Sequence, residues 1–179
     1  YTHVYLPSVP MLDAQGRLRP YLLEAQRRGV IFDAGHGAGS FDYRQAVPAT
    51  RDGFWPNSIS TDLHAGNINR GMKDMAHVMS KFLNLGLPLP EVIARSTWAP
   101  AQIIKRPDLG HLSVGAGADI AVFGQRTGKF GFYDIVGGRA SGDRKIECEL
   151  TLRDGQVVWD LNGISMEPWE KLPPNARNK

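Results

Sequence analysis

Three stretches of this chain each end a β-rich run on a side chain able to ligate a metal or move a proton. They are His3 in Thr2-His3-Val4-Tyr5, His36 in Phe32-Asp33-Ala34-Gly35-His36-Gly37, and Asp62 in Ser60-Thr61-Asp62-Leu63-His64. Two imidazoles and one carboxylate form a borderline-hard donor set suited to zinc, manganese or iron(II). Such a site keeps positions open, and its metal makes hydroxide available near neutral pH. A neighbouring carboxylate can take the proton and hand it to a leaving group, which makes Asp62 the candidate general base and acid. In a strand Asp62 and His64 face the same way, so His64 is placed to contact a substrate oxygen. The glycine-rich loop from Gly37 to Ser40 is the other candidate for substrate binding, where backbone can approach a ligand closely.

Each residue also has a plainer reading. His3 alone reads as a chance histidine, and Asp62 as a turn or capping residue before Gly66. His64 reads equally as a histidine bonded to backbone at a strand end. His77 reads as a helix-surface residue and His111 as part of a glycine-rich turn. Met72, Met75 and Met79, at helical spacing, read as core.

The elements that must position these residues follow from periodicity. Tyr1 to Leu6 reads as a strand ended by Pro7 and Pro10. Leu18, Tyr21, Leu22 and Ala25 give helical spacing with Gly29 as the stop. Val30 to Phe32 is a buried strand breaking into Gly35, Gly37 and Gly39. Ser40 is the expected N-cap of a helix over 41–46 that Pro48 interrupts. Residues 57–64 form a second short β-like segment. Lys73 to Leu85 carries the longest helical stripe, and Pro90 opens another helix. A further helical turn follows Trp98. Beyond Asp108 the pattern turns to short strands, at 119–123, 146–152 and 157–159, the last two joined by the turn Asp154-Gly155. The order suggests part of a parallel α/β barrel over 1–108, part of a β domain over 109–165, and a polar tail over 166–179.

Composition excludes several classes. The 179 residues suffice for one core or two small domains. Net charge is +3, with lysines and arginines scattered rather than run together, so nucleic-acid binding is not indicated. No apolar run reaches membrane-spanning length and no signal peptide is present. Cys148 is the single cysteine, which rules out a disulfide within the chain and fits a reducing, cytoplasmic compartment. The opening Tyr1-Thr2-His3 starts as if in mid-strand, so a piece of a longer protein is expected.

With these residues in view, the chain resembles the C-terminal half of an amidohydrolase-superfamily enzyme, in the dihydroorotase-like amidohydrolase/deacetylase group. Ser96-Thr97-Trp98-Ala99-Pro100-Ala101 and the run Leu109 to Phe123 resemble that family's passage from barrel to β domain. The resemblance covers about residues 1 to 160. It implies the C-terminal half of a TIM-like (β/α)8 barrel followed by part of a small β-sandwich. It implies His3 at the end of the fifth barrel strand, His36 at the sixth and Asp62 at the eighth, holding one or two divalent metal ions, zinc first. It implies hydrolysis of an amide, cyclic amide or ester in a small-molecule substrate, with Asp62 shuttling the proton.

The first-strand His-x-His pair and the bridging lysine of that family have no counterpart here. About 26 positions separate His36 from Asp62, which reads either as a degenerate seventh unit or as a strand count off by one. Open sheet edges call for a covering partner: the missing N-terminal half, another chain or a second copy. The alternatives are a catalytically silent, subunit-like piece and, within the superfamily, a purine-type aminohydrolase.

Overall fold

The computed structural model describes residues 1–174. Three extended segments, 1–6, 30–37 and 57–61, lie side by side and parallel, with a bridge between Asp33 and Ser58 and another, just past the middle segment, between Tyr5 and Phe41. Backbone bonds link neighbouring segments. Asp33 N–H donates to Tyr1 O and Val4 N–H to Asp33 O, while Ala34, His36 and Gly37 N–H donate to Ser58, Ser60 and Thr61 O. The His36 and Asp62 segments are therefore direct neighbours with no strand between them. This corrects the expected fifth, sixth and eighth placement: the three segments are consecutive, and the short spacing from His36 to Asp62 needs no degenerate unit. The segments are also less regular than the strands expected, because glycines and hydroxyl side chains interrupt the ladder.

Five helices surround them: α1 (Pro20–Arg27), α2 (Tyr43–Arg51), α3 (Met75–Asn84), α4 (Leu89–Ser96) and α5 (Trp98–Ile103). Asp42, not Ser40, caps α2, its carboxylate accepting from Arg44 N–H. Helix α2 also runs through Pro48, since burial of Ala46, Ala49 and Thr50 outweighs the backbone bond that the proline lacks. Helix α3 starts where Asp74 caps the His77 N–H, and buries seven consecutive or nearly consecutive residues, Ala76 and Val78 to Leu83. Those residues include Lys81, a position the apolar stripe does not predict.

The C-terminal part is an antiparallel sheet of β1 (Ile120–Tyr133), β2 (Arg139–Arg153) and β3 (Gln156–Asp160), in that order. The first two strands are much longer than the short runs expected. Their glycines sit at or beside register shifts, near Thr127 to Phe130, instead of ending the strand. Helix α3 packs on β2: Ser80 Oγ accepts from Ile146 N–H at 2.8 Å, and Asn84 Nδ2 donates to Arg144 O at 2.6 Å. Ile146 belongs to the same buried cluster as Tyr5, Phe41, Phe54, Met79 and Phe82, so the parallel segments and the sheet share one core. The tail expected from 166 includes a fully exposed 3-10 turn at Trp169–Lys171, and its last five residues lie outside the described residues. No helix among the described residues is long and apolar enough to cross a membrane.

Candidate active site around a glycine turn

The loop leaving the middle segment is Gly35-His36-Gly37, and both glycines have φ near +45 to +49°. Glycine adopts this left-handed backbone at no steric cost, and here space excludes a side chain as well. A Cβ on Gly35 would strike Thr2 Oγ1 and the His3 ring, and a Cβ on Gly37 would lie 2.5 Å from Asp62 Oδ2. The turn is thus flanked by His3 on one side and Asp62 on the other. Both flanking residues are themselves left-handed, His3 at φ 61° and Asp62 at φ 49°. Lys105 and Asp154 share that conformation in ordinary turns, so it gains meaning at His3 and Asp62 only from their shared position.

Beneath the turn, Asp33 joins the three segments. Its Oδ1 accepts from Ser58 Oγ at 2.6 Å, and its Oδ2 from Thr2 Oγ1 at 2.8 Å and Ser60 Oγ at 2.7 Å. Ser60 Oγ in turn accepts from Gly35 N–H. Asp33 escaped sequence reasoning. The signal available was an acid inside an apolar run, opposite two serines spaced by two and so on one strand face.

The side chains differ in what they can offer. His3 Nδ1 lies 2.7 Å from Gly35 O, and a carbonyl only accepts, so Nδ1 carries the proton and Nε2 is left with its lone pair. That is the arrangement in which a backbone-oriented imidazole can ligate a metal. Asp62 is exposed, and its carboxylate accepts no hydrogen bond among the described residues; Asn67 Nδ2 holds its backbone carbonyl instead.

His36 is the exception. Its ring is fully buried, stacks on Phe41 at 4.6 Å, and has both nitrogens engaged: Nδ1 with Gly37 O at 2.9 Å and Nε2 with Lys81 Nζ at 2.7 Å. Burial, with the Lys81 charge adding to it, pushes its pKa down to about 3. Among the described residues no three His, Cys, Asp or Glu side chains are grouped so as to hold a metal. The structure places His3 and Asp62 around one turn and engages both His36 nitrogens in internal contacts.

The other candidates are placed as follows. His64 is exposed, with Nδ1 accepting from Gly66 N–H. Gly37 N–H and Ser40 N–H are taken by Thr61 O and His36 O. His77 is half-buried against Phe132 rather than on the helix surface, and burial lowers its pKa to about 4. His111 packs edge-on to Trp98 and accepts from Ser113 N–H, as a structural residue does.

Gly37 offers a direct check. Gly37→Ala forces a side chain into both a left-handed backbone and the Asp62 carboxylate, and should lower stability by about 1–3 kcal/mol. Gly39→Ala, with nothing within 4 Å of the added atom, should be near neutral in the same urea melts. Equal midpoints for the two variants would remove the close packing of Gly37 on Asp62.

Parallel segments with ionisable side chains on the loops at their ends define an α/β protein. The comparisons narrow this: residues 14–159 match the amidohydrolase family, and the chain belongs to it. A deacetylase of Enterococcus faecalis is 36% identical over 112 residues, covering 62% of this chain and 30% of that protein. A deacetylase of Brucella anthropi is 42% identical over 95 residues, covering 53% of this chain and 24% of that protein. Among solved structures, an adenine deaminase superposes with a TM-score of 0.83 at 31% identity, covering 89% of this chain and 44% of that one. A dihydroorotase superposes with a TM-score of 0.70 at 28% identity, covering 87% of this chain and 43% of that one. The chain therefore spans less than a third of the curated relatives and less than half of the solved structures it matches.

Proposed function

We propose that this chain is part of a larger metal-dependent hydrolase that cleaves an amide, cyclic amide or ester in a small-molecule substrate. The carrying observation is the glycine turn closed between His3 and Asp62, in a chain of the amidohydrolase family. Three consecutive segments change the residue assignment. With Asp62 on the eighth strand, His36 falls on the seventh and His3 on the sixth. His3 then takes the sixth-strand ligand position that the family resemblance gave to His36. This reading agrees with the bare His3 Nε2 and with the engaged nitrogens of His36.

His3 Nε2 and the Asp62 carboxylate would hold a divalent ion, with zinc favoured and manganese or iron(II) compatible, alongside ligands from outside this chain. When bound, the ion supplies the Lewis acidity that makes water a nucleophile near neutral pH. Asp62 accepts the proton of the attacking water at a carboxylate oxygen and delivers it to the leaving nitrogen or oxygen. His64, exposed two residues on, meets a substrate oxygen. Of the loop from Gly37 to Ser40, the Ser40 hydroxyl is what remains for substrate, since the Gly37 and Ser40 N–H groups are bonded internally. We divide the chain near residue 108, between the end of α5 and the start of β1, and place the protein in the reducing cytoplasm on its single cysteine.

Elemental analysis tests the reading. A longer product of the same gene should hold one or two equivalents of metal, and this chain alone little. No metal in either would remove the metal-dependent hydrolase. The likeness to an adenine deaminase supports a second reading, an aminohydrolase. Parallel assays of the longer product on an N-acylated amino acid and on adenine separate the two, and inactivity on both favours a silent, subunit-like piece.

A further inference from the structure

Lys81 is 1% exposed on α3, and its Nζ makes three short contacts: 2.7 Å to His36 Nε2, 2.6 Å to Gly71 O and 2.7 Å to Tyr133 O. An ammonium has three protons and no lone pair. Two protons go to the carbonyls, so the third goes to His36 Nε2, which must be bare. The other ring nitrogen agrees, because Nδ1 faces Gly37 O and must donate to it. His36 is thereby fixed as a neutral imidazole protonated at Nδ1.

The surroundings favour this arrangement. The Lys81 ammonium lies over the Phe41 ring at 5.3 Å, and Phe41 stacks on His36. The buried Asp134 carboxylate, held by the N–H groups of Tyr43, Val136 and Gly138, supplies a compensating negative charge from the turn between β1 and β2. Burial works the other way and, with the nearby Lys73 charge, outweighs Asp134 and brings Lys81 down to about 7. One amine thus ties α3, the chain at Gly71, the hairpin turn and the glycine turn together.

The link continues toward the candidate site. His36 Nδ1–H bonds the carbonyl of Gly37, Gly37 N–H bonds Thr61 O, and the Asp62 carboxylate leans on the Gly37 α-carbon. We infer that Lys81, acting through the Nδ1–H form of His36, is a positioning residue for Asp62, setting the Gly37 peptide against which that carboxylate rests. The inference rests on reading Asp62 as the proton carrier, but its test separates the two.

The test is NMR at pH 6 on protein labelled with 15N-histidine and 13C-aspartate, with His36 assigned from a His36→Gln variant. In the wild type, His36 should show a protonated Nδ1 and a bare Nε2, and these signals should stay in place when zinc is added. In Lys81→Met, Nδ1 should keep its proton on Gly37 O, while the His36 Nε2 signal should shift on losing its donor and the Asp62 carboxyl signal should move. In the longer enzyme, the same substitution should lower kcat about tenfold or more with KM little changed. An Nε2–H tautomer in the wild type, or a His36 response to zinc, would overturn the inference even if Lys81→Met failed to fold. A folded Lys81→Met with an unmoved Asp62 signal would overturn it as well. If His3 in the longer enzyme ignores zinc while His36 behaves as described, the metal assignment falls and the Lys81–His36 link stands.

Discussion

Replacing Asp62 with asparagine in the complete enzyme should reduce turnover by about 10²- to 10⁴-fold, the range for losing a positioned general base. The fold should survive, for two reasons. Asp62 sits at φ 49°, a conformation that asparagine tolerates as well as aspartate, so the exchange adds no backbone strain. The Asp62 side chain is exposed and makes no hydrogen bond among the described residues, while Asn67 grips the backbone carbonyl, which the substitution leaves in place. Stability should therefore stay within about 0.5 kcal/mol of the wild type. Asparagine keeps the shape and one oxygen but cannot take up a proton, and metal content measured on the same variant separates that loss from a loss of the ion. Steady-state kinetics beside a thermal melt give the answer. Wild-type-like turnover in a folded variant would take the proton-carrying role from Asp62.

That His3 and Asp62 come to one turn was legible in the sequence, because a strand that breaks into turn residues leaves few places for its last polar side chain to go. The sequence could not say which histidine faced the loop and which faced the core. His36 is flanked by glycines, and glycine-rich context suggests an open site; here the glycines give space to Thr2, His3 and Asp62 while the imidazole turns inward. What draws it inward is Lys81, 45 residues away in sequence and placed in an otherwise apolar helical stripe. Propensity treats a lysine in such a stripe as a solvated interruption. Only tertiary structure brings up the Gly71 and Tyr133 carbonyls that make its burial tolerable. Helices α1, α3, α4 and α5 were legible because their periodicity is local, whereas α2 runs through a proline whose cost tertiary burial offsets. The long hairpin was not, because glycines that punctuate a short window instead sit at bulges whose pairing depends on the partner strand. The count of parallel segments failed for a related reason: adjacency is a property of the backbone ladder, and no residue type carries it.

The same burial predicts a protein that weakens in mild acid. An unfolded histidine titrates near 6.5, whereas His36 in the fold is held to about 3, by burial first and then by the neighbouring Lys81 charge. Between those values the unfolded chain binds a proton that the native state refuses. Stability therefore rises with pH across this window and is lost as pH falls through it. The slope from His36 approaches about 1.4 kcal/mol per pH unit, so moving from pH 6.5 to 4.5 should remove about 2–3 kcal/mol. His77, lowered to about 4 by burial and by Lys81, with Asp74 opposing, adds in the same direction. Lys81, lowered to about 7 in the fold, adds to the same slope near pH 6.5 and nothing further into acid, where both states hold its proton. Urea melts at intervals of half a pH unit give the slope directly. His36→Gln should be less stable at pH 7, having lost the Lys81 and Gly37 contacts, yet its stability should fall less steeply with acid. A wild type whose stability is flat from pH 6.5 to 4.5 would mean that His36 accepts a proton in the native fold. A protonated His36 has no lone pair for Lys81, and the bonded path from α3 to the glycine turn would break at its first link.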